Sequence, residues 1–125
     1  MINQTLAISI GAILGANARY WIALWTKELF ATSFPLGTFI VNVVGSFLLG
    51  FLVALSLKRA DLPQTTLLLL GTGFMGSFTT FSTFSVESVQ LMSNGHWQLA
   101  FFNVVGSVVL GLSGVWLGSQ VARMI

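Results

Sequence analysis

The sequence predicts an all-α membrane protein with four transmembrane helices in a single transmembrane domain, residues 1–125, and three observations carry that prediction. Hydrophobic residues make up 55% of the chain and charged residues 6%, with a mean hydropathy of +0.92. That leaves too little polar surface to clothe a water-soluble fold of this size. Four apolar runs are each long enough to cross roughly 30 Å of hydrocarbon at about 1.5 Å per residue. Helix-opening and turn residues, Pro35, Pro63 and Asn94-Gly95, stand at the breaks between the runs.

The first run covers residues 6–25 and ends at Lys27 and Glu28. No basic cluster precedes it and its apolar character outlasts a signal h-region, so it reads as a retained helix. The second, residues 37–57, follows Pro35 and stops at Lys58, Arg59 and Asp61. The third starts at Pro63 and extends to about residue 92. Within it, residues 71–88 read GTGFMGSFTTFSTFSVES, three glycines followed by a dense run of Ser, Thr and Phe. Glycine and β-branched threonine are poor helix formers, so this third helix is expected to be broken. Non-helical backbone at that depth is tolerated only where protein or a polar cavity surrounds it. Ser93, Asn94 and Gly95 form a turn, and the fourth run covers residues 97–121, with Arg123 just beyond.

Charge excludes several classes of function. The net charge of +2 rests on Arg19, Lys27, Lys58, Arg59 and Arg123, which are scattered, whereas nucleic-acid binding needs clustered bases on one face; no nucleic-acid partner is expected. With no cysteine and His96 as the single histidine, the chain has no thiolate nucleophile and no Cys- or His-rich metal site. So few ionizable groups in so small a chain argue against an enzyme. Four spans put the amino terminus, Lys58, Arg59 and Arg123 on one side and Arg19 and Lys27 towards the other, three basic side chains against two. Lys and Arg asymmetry sets the direction of insertion, so the chain is expected to insert both ways, a dual topology that permits an antiparallel homodimer.

Residues 42–50, NVVGSFLLG, recur as NVVGSVVLG at residues 103–111, differing at two positions. Such an echo fits either related halves around a central pathway or a shared helix-packing composition. At about 100° per residue, Thr80, Thr83 and Glu87 fall within some 40° of Gly76, and Phe81 and Phe84 share the neighbouring face. Asn42 with Ser46, and Asn103 with Ser107, are i, i+4 neighbours on their helices. Polar groups inside lipid either tie helices together or line a path for something polar. The combination of two asparagines, several hydroxyls and Glu87 favours a path, with Arg19 as a lone cation near its vestibule. Amide and hydroxyl donors and the positive edges of phenyl rings suit an anion; a cation path calls for acidic rings or carbonyl filters.

At these residues the chain resembles the Fluc (CrcB) family of fluoride channels over essentially its whole length. The resemblance is carried by Gly37-Thr38 and Val41-Asn42-Val43-Val44-Gly45 in the second span, and by residues 73–85, GFMGSFTTFSTFS, with Glu87 in the third. Ser77 departs from it, standing where many relatives have a second glycine. The resemblance implies an antiparallel homodimer in the bacterial plasma (inner) membrane. Two pores, each built by both chains, would let fluoride out of the cytoplasm passively and so reduce its toxicity. It implies a pore lined by Asn42, Thr80, Phe81, Ser82, Thr83, Phe84, Asn103 and Ser107, with Arg19, Thr38, Ser46 and Glu87 along the vestibule or polar track. It also implies a structural sodium ion at the dimer centre, held by backbone carbonyls of Gly76 and Thr79 from each subunit. Two rivals stand beside it. A small multidrug transporter wants a mid-membrane carboxylate in its first helix, where this chain has Arg19; a purely structural subunit would use the polar residues as packing glue.

Overall fold

Apolar runs without interior proline satisfy their backbone groups in lipid by folding as helices, and four helical spans follow. The computed structural model describes all residues, 1–125. Helix α1 (Ile2–Leu29) and α2 (Leu36–Lys58) are joined by a short link. The third span, Gln64–Ser93, is composite. It begins as α3 (Gln64–Leu67), passes into a π-helical stretch (Leu68–Met75), resumes as α4 (Gly76–Phe78), and continues after two extended residues as α5 (Phe81–Ser93). Helix α6 (Trp97–Met124) completes the chain. The helices overrun the apolar runs by up to four residues at each end, because the interface still supports helical turns outside the hydrocarbon.

Both prolines sit where expected, immediately before α2 and α3. The turn between α5 and α6 needs a left-handed residue, and Gly95 supplies it at φ 77°. The His96 amide donates to the Leu91 carbonyl at 2.8 Å and the Gly95 amide to Met92 at 3.0 Å, closing the last carbonyls of α5.

The spans form two parallel pairs. Along α1 and the third span, Gln4 meets Gln64, Gly11 meets Gly73, and Gly15 meets Phe74 and Ser77, so the two helices run in the same direction. Along α2 and α6, Phe39 lies over Gly106, Phe47 against Gly114 and Gly118, and the Lys58 ammonium donates to the Arg123 carbonyl at 3.1 Å. The two pairs make interfaces of similar extent. Glycine is required at the crossings: a Cβ on Gly11 would overlap the Leu69 carbonyl oxygen, and one on Gly118 that of Phe47. Backbone-to-backbone approach of this kind supplies packing where lipid gives helices no hydrophobic reason to associate.

Only 20 of 125 residues are buried, so most of the apolar surface faces outward, as lipid or another apolar surface requires. Tyr20, Trp21, Trp25 and Trp97 are exposed together at the end where α1 finishes and α6 begins, the position of an interfacial aromatic belt.

Candidate functional site

The third span leaves the helical conformation at Thr79 (φ −84°, ψ 156°) and Thr80 (φ −152°, ψ 117°). The sequence pointed to the glycines and threonines of residues 71–88 together; Gly76 is helical (φ −62°, ψ −29°) and Gly71 and Gly73 lie in the π-helical stretch, so the interruption falls on the threonines. The physical reason is division of labour. Gly73 lets α1 approach, packing against Ile8 and Gly11, while β-branched threonine tolerates extended backbone well.

An extended pair of residues inside a span exposes backbone donors and acceptors that lipid cannot satisfy. Asn42 on α2 answers this at Thr80. Its Oδ1 accepts from the Thr80 amide at 2.8 Å, and its Nδ2 donates to the Thr80 carbonyl at 3.0 Å. The amide can only donate, so the carboxamide orientation is fixed by its partners. Thr80 then caps α5: its Oγ1 accepts from the Thr83 amide at 3.2 Å, lies 3.0 Å from Thr83 Oγ1, and is 3.2 Å from Ser82 Oγ. Ser46 donates to the Asn42 carbonyl at 2.6 Å, and Thr79 Oγ1 to Met75 at 2.9 Å. Ser77 ties α4 to α1, its hydroxyl 3.0 Å from the Ala12 carbonyl.

From this interruption a cavity of about 570 Å³ leads to the end of the chain where α1 finishes. Thr80, Thr83 and Glu87 line it together, as the helical stripe predicted, joined by Thr38 from α2 and by Arg19 and Lys27 from α1. Gly76 lies beyond the interruption and is exposed, outside that wall. Thr38 donates to Glu87 Oε1 at 2.9 Å, while Glu87 Oε2 is buried without a partner. Two cationic side chains and several hydroxyls against one carboxylate give the cavity a wall suited to small anions.

Phe81 is 80% exposed, pairs with Phe84 at 5.7 Å between ring centroids, and together with Ser82 faces outward from the single chain. On α6, Asn103 is wholly buried and donates to Ser88 Oγ at 2.9 Å, leaving its Oδ1 unpartnered; the Ser107 hydroxyl is buried and unpartnered too. The two copies of the NVVGS stretch therefore both aim their asparagine at the third span, one at Thr80 and one at Ser88.

Sequence reasoning missed three contributors. Ser88, which holds Asn103 and donates to the Phe84 carbonyl at 2.7 Å, sits about one helical step off the stripe that drew attention to Glu87. Thr26 and His96 line the cavity from the α1 end and the α5–α6 turn; their clue was polarity at span ends close to Arg19 and Lys27. No group of three His, Cys, Asp or Glu side chains converges anywhere, so a cation held by this chain would rest on neutral oxygens.

Comparison with known proteins agrees with this architecture. Proteins named fluoride-specific ion channel FluC align along nearly their whole length. The one from Roseiflexus sp. (strain RS-1) is 46% identical over 120 residues, covering 96% of this chain and 97% of the relative. That of Chloroflexus aurantiacus is 47% identical over 121 residues (97% and 96%), and that of Oceanobacillus iheyensis 42% over 120 (96% and 92%). The family model described as CrcB-like protein, Camphor Resistance (CrcB), matches residues 6–119. Four apolar spans, a polar cavity ending at Thr80 and full-length similarity together place this multi-pass membrane protein in the CrcB-like family.

Proposed function

We propose that the chain is a fluoride channel that works as an antiparallel homodimer with two pores and passively exports fluoride from the cytoplasm. The observation that carries the reading is the line of Thr38, Thr80, Thr83 and Glu87 along a cavity running from the membrane surface to the Asn42-braced interruption. Support comes from relatives whose names state fluoride-specific conduction.

Fluoride is small and strongly hydrated, so a conduit must replace its water with donors without holding it fast. Arg19 and Lys27 raise anion concentration at the mouth. The hydroxyls of Thr80, Ser82 and Thr83 offer successive donors, and Asn42 uses one N–H on Thr80 and has a second to give. Phe81 and Phe84 present positive ring edges. The outward exposure of Phe81 on one chain fits a pore completed by a second copy, with Asn103 and Ser107 contributing further polar atoms from α6.

The residues also suit a structural sodium ion at the centre of the dimer. In a continuous α-helix the Gly76 carbonyl would accept from the Thr80 amide and that of Thr79 from the Thr83 amide. Here both amides bond to side chains. Four such oxygens, two from each subunit, match the preference of a hard cation for oxygen dipoles. Bound there, sodium would supply fixed positive charge that favours a nearby anion.

Fluoride-electrode efflux from liposomes holding only this protein tests the activity, with chloride and a cationic drug as controls. Rapid fluoride release with chloride and drug retained is the expected result; vesicles tight to fluoride refute it. Because the chain has no cysteine, a single introduced Thr32→Cys reports orientation. About half the copies should react with an impermeant thiol reagent in right-side-out cells, and uniform labelling or protection would refute dual topology.

A further inference from the structure

We infer that Asn42 and Thr80 are positioning residues that keep two particular carbonyls, those of Gly76 and Thr79, free to bind a cation; the inference rests on the sodium site proposed above. An α-helix consumes each carbonyl with the amide four residues on, so a helical span has no oxygen to spare for an ion. A break releases the carbonyls of the turn before it, and each stays available only while no other donor takes it. In this chain two side chains occupy the amides that would otherwise reclaim Gly76 and Thr79.

Asn42 Oδ1 takes the Thr80 amide at 2.8 Å and so removes the helical donor of Gly76. Thr80 Oγ1 takes the Thr83 amide at 3.2 Å and so removes the helical donor of Thr79. The same carboxamide covers the third candidate, because Asn42 Nδ2 donates to Thr80's own carbonyl at 3.0 Å. The Gly76 and Thr79 carbonyls, about one turn apart, thus lose their helical donors to side chains, while the Thr80 carbonyl is itself covered.

The packing holds this arrangement in place. Val41, beside Asn42, is fully buried. A Cβ on Gly45, one turn along α2, would overlap Thr79 Cγ2, so the absence of a side chain there lets Thr79 seat against α2. Thr79 Oγ1 donates to the Met75 carbonyl at 2.9 Å, which ties the side chain back to the preceding turn. Asn42 thus serves two tasks, a donor to an anion with its second N–H and a clamp on the cation-binding backbone with its other atoms.

The test is sodium-dependent thermal stability of the purified full-length protein in detergent. Sodium is titrated against N-methylglucamine at constant ionic strength, since a ligand at free concentration L bound only by the folded state stabilises it by RT ln(1 + L/Kd). Wild type should show a melting temperature that climbs with log sodium above an onset set by Kd, and the fitted Kd is the midpoint compared below. Asn42→Leu, which keeps bulk but loses the acceptor, should shift the midpoint at least tenfold to higher sodium, and the near-isosteric Thr80→Val should do the same. Asn42→Asp keeps an acceptor for the Thr80 amide, so its midpoint should stay within about threefold of wild type or tighten while fluoride flux collapses. That split between cation binding and anion flux is something a merely destabilising substitution would not give. A wild-type midpoint retained by both Asn42→Leu and Thr80→Val overturns the positioning role while leaving the sodium site standing. No sodium response in wild type removes the sodium site and this role with it. If Asn42→Leu fails to fold, Thr80→Val and Asn42→Asp still decide the matter.

Discussion

Thr38 Oγ1 on α2 donates to Glu87 Oε1 on α5 across 2.9 Å, a link between residues 49 apart in sequence and the one polar tie between α2 and α5 within the cavity wall. Because Glu87 Oε2 is already without a partner, Thr38→Val would leave both carboxyl oxygens unpaired. Loss of a buried partner of this kind costs about 1–3 kcal/mol. Reversible denaturant unfolding in detergent should register that loss, and Thr38→Ser, which keeps the hydroxyl, should restore most of it.

Phe81 is 80% exposed on the chain, so it contributes little to holding a subunit together. Phe81→Ile should therefore leave the subunit's helix content unchanged while fluoride efflux from liposomes falls at least tenfold. Unchanged flux would remove Phe81 from the conducting wall.

Arg19 and Lys27 are the cationic side chains on the cavity wall. Arg19→Gln should lower fluoride flux several-fold at low ionic strength and less at high salt, where a Debye length of about 8 Å or shorter already screens the mouth. Flux measured across a series of impermeant-salt concentrations gives the slope, which should be shallower in the variant.

Gly11 and Gly71 differ in what surrounds them. A methyl on Gly11 would collide with the Leu69 carbonyl and stand against the Phe74 amide at 2.8 Å, both backbone, whereas at Gly71 the nearest atom is Leu52 Cδ2 at 3.5 Å. Gly11→Ala should cost about 1–3 kcal/mol through forced separation of α1 from the third span. Gly71→Ala should be close to neutral in the same unfolding experiment.

The four spans were legible because a membrane helix announces itself through length and apolarity alone, and the boundaries moved by no more than about a turn. The stripe of Thr80, Thr83 and Glu87 was legible too, since all three lie on one helix or at its cap and share the cavity. What could not be read was any relation that crosses the bundle. Asn42 was recognised as a polar residue inside a span, but its partner is a backbone unit 38 residues away. The exact site of the interruption was illegible for the same reason: intrinsic propensity points at glycine and threonine alike, and only the packing across the bundle shows that the glycines stay helical while Thr79 and Thr80 do not. Ser77, read as a departure from the family pattern, gains a hydrogen bond to Ala12 that no local pattern could reveal.

The cavity walls formed by Arg19 to Pro35 and by Thr83 to His96 belong to a single end of the chain. A lone subunit thus has a polar funnel at one membrane face, whereas the cavity of about 340 Å³ toward the opposite face, walled by Leu49, Leu52, Val53 and Leu67, is mostly apolar. Two copies pointing the same way would make a one-faced device, with current easier in one direction. Two copies pointing opposite ways cancel that bias, so traffic would follow the concentration and voltage differences alone, like a corridor with identical doors at both ends.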